Sequence, residues 1–207
     1  GAERKPPLAS PKEKTGCGNQ GGASTELNSP NEGITLQDEQ GRLAFESGKL
    51  LFLRNWPYVY NLAKTDGSST VKDTFGMAPL PGASGPGASS LGGHNAAISV
   101  YSKNKATAAD FLKFLTSDEQ QKLFVTQGSL ATVITALYDD ATLVAKSPYL
   151  TVLKTSLEKA VARPVTPFYP AVSTAIQENA YAAIKGEKTV DAALADMGKA
   201  IESAGAQ

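Results

Sequence analysis

The sequence predicts a helix-rich α/β fold. Helical apolar periodicity runs through most of the second half of the chain, a few short β-prone runs lie nearer the middle, and no internal repeat is present. The strands are too few for the helices they would support. The sheet is therefore expected to lack strands.

Composition narrows the function. At 207 residues the chain can form one large domain or two small lobes, and 41% hydrophobic residues suffice for a core. Twenty basic and twenty acidic residues cancel, so no global field draws nucleic acid or an anionic membrane. No apolar run approaches the length of a bilayer span. Gly1-Ala2-Glu3-Arg4-Lys5-Pro6-Pro7 lacks the apolar core of a signal peptide. Cys17 is the only cysteine and His94 the only histidine, which excludes a disulfide framework, a cysteine-based metal site and a multi-histidine site. Neither a phosphate-binding glycine loop nor a nucleophile elbow is present. No catalytic residue, cofactor or metal is expected.

Residues 1–33 read as a flexible tail or linker, rich in Gly, Pro, Ser, Asn and Lys and without apolar period. Gly16-Cys17-Gly18-Asn19-Gln20 has the look of the tether after a lipidated cysteine. Lipidation needs an apolar segment upstream, and Pro11-Lys12-Glu13-Lys14 is the opposite, which favours a plain flexible segment.

A short helix is expected from Gln37 to Ser47, with Leu43 and Phe45 as its bulky apolar residues and Gly48 as its stop. Lys49 to Asn55 reads as a buried strand, because four of its seven residues are large and apolar. It delivers Trp56 and Tyr58 to a strand end, where rigid amphipathic rings make a natural pocket wall or equally a piece of core. Tyr58 to Lys64 is one or two turns of helix, and Asp66-Gly67-Ser68-Ser69 a surface turn. Phe75 to Pro81 is extended and broken by prolines, hence an edge or crossover. A glycine-rich loop from Gly82 to Ser90 ends in Leu91-Gly92-Gly93-His94-Asn95, and Ala96 to Tyr101 alternates like a strand.

Helices follow. Ala108 to Leu115 carries Phe111, Leu112, Phe114 and Leu115 on a broad apolar face. Ser117 and Gln120 form a capping box for a helix that ends at Gly128. Ser147-Pro148 opens a helix with Leu150, Leu153 and Leu157 at helical spacing. The prolines between Arg163 and Pro170 forbid a helix there. Pro170 to Lys185 is helical, with Val172, Ile176 and Ile184 inward and Gly186 as its stop. Thr189 caps the last helix, whose Val190, Leu194, Met197 and Ile201 share one stripe.

These residues also carry a resemblance. Gly41 to Lys49, Arg54-Asn55-Trp56-Pro57-Tyr58, Phe75-Gly76 to Pro81, Leu91-Gly92-Gly93-His94, Ala109 to Leu115, Arg163-Pro164 to Tyr169-Pro170 and Gly186-Glu187 occur in one order over some 165 residues. In this, the chain from about Asp38 onward resembles the C-terminal portion of a bacterial ABC-transporter sugar-binding protein, of the trehalose/maltose-binding type. The resemblance implies a periplasmic-binding-protein type II fold, with two lobes closing about a hinge. It implies as well that the N-terminal lobe is largely missing from this stretch of chain. It further implies that residues 34–75 belong to the C-terminal lobe, 76–130 to the crossover and the N-terminal lobe, and 131–207 to the C-terminal lobe. The glycine-rich loop and Ala96 to Leu115 would pack on the N-terminal lobe.

By the same resemblance, Trp56 and Tyr58 stack a sugar, Gly92 and Gly93 let backbone N–H groups approach it, and His94 stands where relatives often carry another ring. Arg163 offers its five donors to sugar hydroxyls, and Tyr169 is a second ring. For each a structural role competes: core aromatic, bare turn, solvent-facing histidine, surface ion pair, helix-start packing. The implied protein is a non-catalytic extracytoplasmic monomer, periplasmic or a cell-surface lipoprotein. It would pass a di- or oligosaccharide to ABC permease subunits. Two rivals remain. One is a glycosidase using Asp139-Asp140 or Asp38-Glu39, although neighbouring acids are more often helix N-terminal partners. The other is a helical interaction module without a small ligand.

Overall fold

The computed structural model describes residue 33 and residues 35–82 and 84–205. The tail and Cys17 lie outside the described residues. The chain divides into two compact units, one of Asp38–Arg163 and the other of Pro164–Gln207 with the residues up to Gln37.

The first unit begins with α1 (Asp38–Glu46) and α2 (Val59–Thr65). As expected, α1 ends at Gly48, whose φ of 75° lets the Gly48 and Lys49 amides return to Phe45 and Ala44. The segment between the helices is not the buried strand the apolar run predicts. Residues 49–56 form no strand, and Leu51 and Phe52 are about nine-tenths exposed. Ala96 to Tyr101 likewise forms no strand, and Tyr101 is exposed. The reason is the same in both places: a strand needs a neighbour for its N–H and C=O groups, and none among the described residues pairs with these runs. The sheet content is correspondingly small. A two-residue hairpin joins β1 (Pro81–Gly82) to β2 (Gly85–Pro86), and β3 (Ser90–Leu91) pairs in parallel with β4 (Val161–Ala162).

Four helical elements build the core of this unit: α4 (Asp118–Gly128), a 3-10 turn (Thr135–Asp139), α5 (Ala141–Lys146) and α6 (Tyr149–Glu158). Val125, Leu137, Tyr138, Leu143, Tyr149, Leu150 and Leu153 interlock there. Buried hydroxyls find carbonyls, Tyr149 those of Val125 and Leu130 at 3.1 Å and Tyr138 that of Thr132 at 2.9 Å. The expected capping box at α4 is absent. Ser117 Oγ donates back to Phe114 O at 2.7 Å instead of accepting from the helix. The left-handed residue after α4 is Ser129, not Gly128. A Cβ on Gly128 would lie 3.2 Å from Leu130 Cγ, a tight contact that the Leu130 side chain would have to relieve.

Between β3 and α4 runs α3 (Lys105–Leu115), which buries no residue, with Phe111 and Phe114 more than half exposed. In the second unit, α7 (Tyr169–Ile184) and α8 (Val190–Gly205) pair as a hairpin turning at Gly186, whose φ is 78°. Thr189 Oγ1 accepts from the Ala192 amide at 3.2 Å, the predicted cap. The inward face of α7 is Val172, Ala175, Asn179 and Ala183; Ile176, expected inside, is 37% exposed. Small residues there leave room for the partner helix.

Candidate functional site

Trp56 and Tyr58 sit on the loop that ends in α2. That helix is anchored by Val59 and the fully buried Ala63. Behind it a chain of rings links α1 to the core: Phe45 to Phe75 at 6.1 Å, Phe75 to Tyr60 at 5.5 Å and Tyr60 to Tyr149 at 5.2 Å. The loop thus has a rigid base.

Trp56 is half exposed, and its indole lies against Gly92. A Cβ on residue 92 would stand 2.6 Å from Cη2 and 3.0 Å from Cζ3, so only glycine leaves room for the ring. The first glycine of the pair therefore gives access to Trp56. Ser90 and Leu91 pair with Val161 and Ala162. The structure brings Trp56 and Gly92 together, and the β3–β4 pair leads directly into Gly92 on one strand and Arg163 on the other. Gly93 and His94 follow on the surface, both exposed. Tyr169 opens α7 in the other unit.

Three polar residues that sequence reasoning gave no part in the sugar site hold the loop. Asn55 Nδ2 donates to Asp38 O at 3.0 Å, and its Oδ1 accepts from the Trp56 amide at 2.7 Å. Tyr58 Oη donates to Glu39 Oε1 at 2.6 Å, while Arg42 Nε donates to Glu39 Oε2 at 2.8 Å. Arg42 also reaches the buried Glu46 at 2.6 Å. The hydrogen bond to Glu39 pushes the Tyr58 phenol up to about 12, and the same bond, with Arg42, holds the Glu39 carboxyl below the usual range. The asparagine beside the only tryptophan was the one signal for Asn55. Nothing in the sequence marked Glu39 as the partner of Tyr58 across the loop.

The acids of the enzyme reading are occupied otherwise. Asp140 caps α5, accepting from the Thr142 and Leu143 amides at 3.0 Å, and pairs with Lys122 at 3.1 Å; Asp139 pairs with Lys154 at 2.6 Å. The Leu143 amide and Lys122 hold the Asp140 carboxyl low, the opposite of a general acid. Among the described residues no cluster of His, Cys, Asp or Glu could hold a metal, and no helix is long and apolar enough to cross a membrane. Two surface pockets of about 430 and 310 Å³ lie along α4 and α5 and between α2 and α6, and neither is lined by a predicted site residue.

The chain matches known proteins in three ways. Residues 21–122 fit the family described as bacterial extracellular solute-binding protein. A probable ABC transporter-binding protein of Deinococcus radiodurans is 37% identical over 133 residues, covering 64% of this chain and 31% of that protein. Maltose-bound MalE3 of T. maritima superposes with a TM-score of 0.86 at 29% identity, covering 94% of this chain and 51% of that one. A cyclic alpha-maltosyl-1,6-maltose binding protein from Arthrobacter globiformis, at 22% identity and a TM-score of 0.70, shares the fold over 95% of this chain and 49% of its own. The chain thus spans about half the length of these solved structures and less of the curated relative. The glycosidase reading falls with these matches: by sequence over residues 21–122 and by fold over most of its length, the chain is similar to bacterial extracellular solute-binding proteins of ABC transporters, which are binding proteins and not enzymes.

Proposed function

We propose that the chain carries one wall of the sugar site of an ABC importer's substrate-binding component. Its ligand is a di- or oligosaccharide of the maltose or trehalose kind, taken up outside the cytoplasm, in the periplasm or at the cell surface, and passed to the permease subunits. The apolar C–H faces of a pyranose lie on Trp56 and Tyr58. Arg163 and the Gly92-Gly93 backbone donate to rim hydroxyls, with His94 and Tyr169 as further contacts taken from the resemblance. The observation that carries this is the half-exposed indole of Trp56 seated on Gly92 beside the β3–β4 pair. The other wall belongs to the half of the fold outside this chain. The Phe111–Phe114 face of α3, which buries nothing here, is the surface that half covers, as the expected assignment of residues 76–130 to the N-terminal lobe requires. The test is calorimetry with maltose, trehalose and glucose on this chain and on a longer form carrying the rest of the fold. Heat that disappears with Trp56→Ala supports the reading. Heat from neither form overturns it, and turnover of a sugar would make the protein an enzyme.

A further inference from the structure

The aromatic loop has no regular backbone of its own, and Leu51 and Phe52 upstream are exposed. Rings on such a loop would sample many orientations, and each orientation lost on binding weakens the affinity. Something must fix them beforehand. Three side-chain hydrogen bonds do so, two of them ending on the first turn of α1: Asn55 ties the loop to the Asp38 carbonyl and also holds the Trp56 amide, and Tyr58 ends on Glu39. Glu39 is itself more than half exposed but does not swing freely, because Arg42 holds its other oxygen while being held by Glu46, a residue only 2% exposed. A line of contacts thus runs from a buried carboxylate to a surface phenol.

We propose that Glu39 and Asn55 are positioning residues of the aromatic platform, and that Glu39 also sets the hydrogen-bonding polarity of Tyr58. A phenol has one proton to donate. With that proton committed to Glu39 Oε1, the Tyr58 oxygen meets a ligand as an acceptor only. It selects a sugar hydroxyl that donates at that point.

The affinity part of this inference rests on the sugar reading above; the positioning part does not, and the experiment separates them. Trp56 is the only tryptophan, so its fluorescence reports the loop without any ligand. In sugar-free protein, Asn55→Ala is expected to raise acrylamide quenching of Trp56 by about half or more and to lower its anisotropy, with the melting temperature unchanged. In maltose titrations Glu39→Ala should bind about threefold more weakly, the scale of one exposed charge-assisted hydrogen bond. Glu39→Gln, which keeps an oxygen for Tyr58, should restore most of that loss. Tyr58→Phe should bind at least as weakly as Glu39→Ala, because it loses the acceptor oxygen along with the bond to Glu39, and the double variant should be no weaker than Tyr58→Phe alone. Wild-type quenching in Asn55→Ala, or additive losses in the double variant, would overturn the proposal. Wild-type protein, in its longer form, that shows normal quenching changes but no maltose binding would overturn the sugar reading and leave the positioning standing.

Discussion

α3 and α6 are neighbours in length and in apolar content, yet one is fully seated and the other is not. In α6, Leu150 is completely buried and Tyr149 and Leu153 nearly so, packed by α4, α5 and the 3-10 turn between them. In α3 no residue is buried, and Phe111 and Phe114 remain 57% and 54% exposed. An apolar stripe states that a face needs covering; it does not state who covers it. For α6 the cover lies within the same 126-residue unit, Asp38–Arg163. For α3 it does not, and this chain spans only about half of the solved structures it superposes on.

The contrast is open to direct attack. The largest effect is expected from Leu150→Ala, which leaves a cavity in a filled core and should cost about 3 kcal/mol in urea unfolding. Phe111→Ala in the same chain should change stability by no more than about 0.5 kcal/mol, whereas in a longer form carrying the rest of the fold its cost should climb toward that of a core aromatic. Equal costs for the two variants in this chain would mean that α3 is packed after all. Next comes Gly92→Ala. Its Cβ would enter the indole at 2.6 Å, so the ring must turn out, and maltose affinity should fall about tenfold, an effect of the size found when one well-packed aromatic contact is lost. The emission of Trp56 should shift in the same variant while its melting temperature holds.

A smaller effect separates charge from packing. Asp140 has its folded-state acidity strengthened, first by the Leu143 amide and then by Lys122. A depressed folded value stabilises above the unfolded pKa, about 3.9 for aspartate, and that share is lost as pH falls through the folded value. Asp140→Asn keeps a cap but no charge. The gap between wild type and Asp140→Asn should therefore be at its full width above about pH 4 and narrow to nothing as pH falls from there through the lower, folded value. A gap that stays constant with pH would assign it to the cap alone.

What the sequence made legible follows the same division between local and non-local causes. Helix ends were readable because their chemistry sits within a few residues: Gly48 and Gly186 with positive φ, and Thr189 on the Ala192 amide. The strands at 49–55 and 96–101 were not, because a strand is a property of two segments and the pattern shows only one. Ser117 failed as a cap since its hydroxyl found the Phe114 carbonyl first. At the candidate site, the tryptophan, the glycine pair and the arginine were visible as residue types in order. Their meeting was not. Gly92 touches Trp56 across 36 positions, and Glu39 reaches Tyr58 across 19, distances over which no periodicity speaks.

The pairing of β3 with β4 has a consequence for time scales. It joins residues about 70 positions apart through two residue pairs, Ser90 with Val161 and Leu91 with Ala162, so a long loop is closed for a short ladder. Segments of that kind open by local fluctuation well below the cost of global unfolding. The Val161 amide, bonded to Ser89 O at 2.8 Å, should exchange its hydrogen with solvent much faster than the amide of Leu150. The β3–β4 pair would then open before the helical core does, and a bound sugar would register as slowed exchange at Val161 before it changed anything in that core.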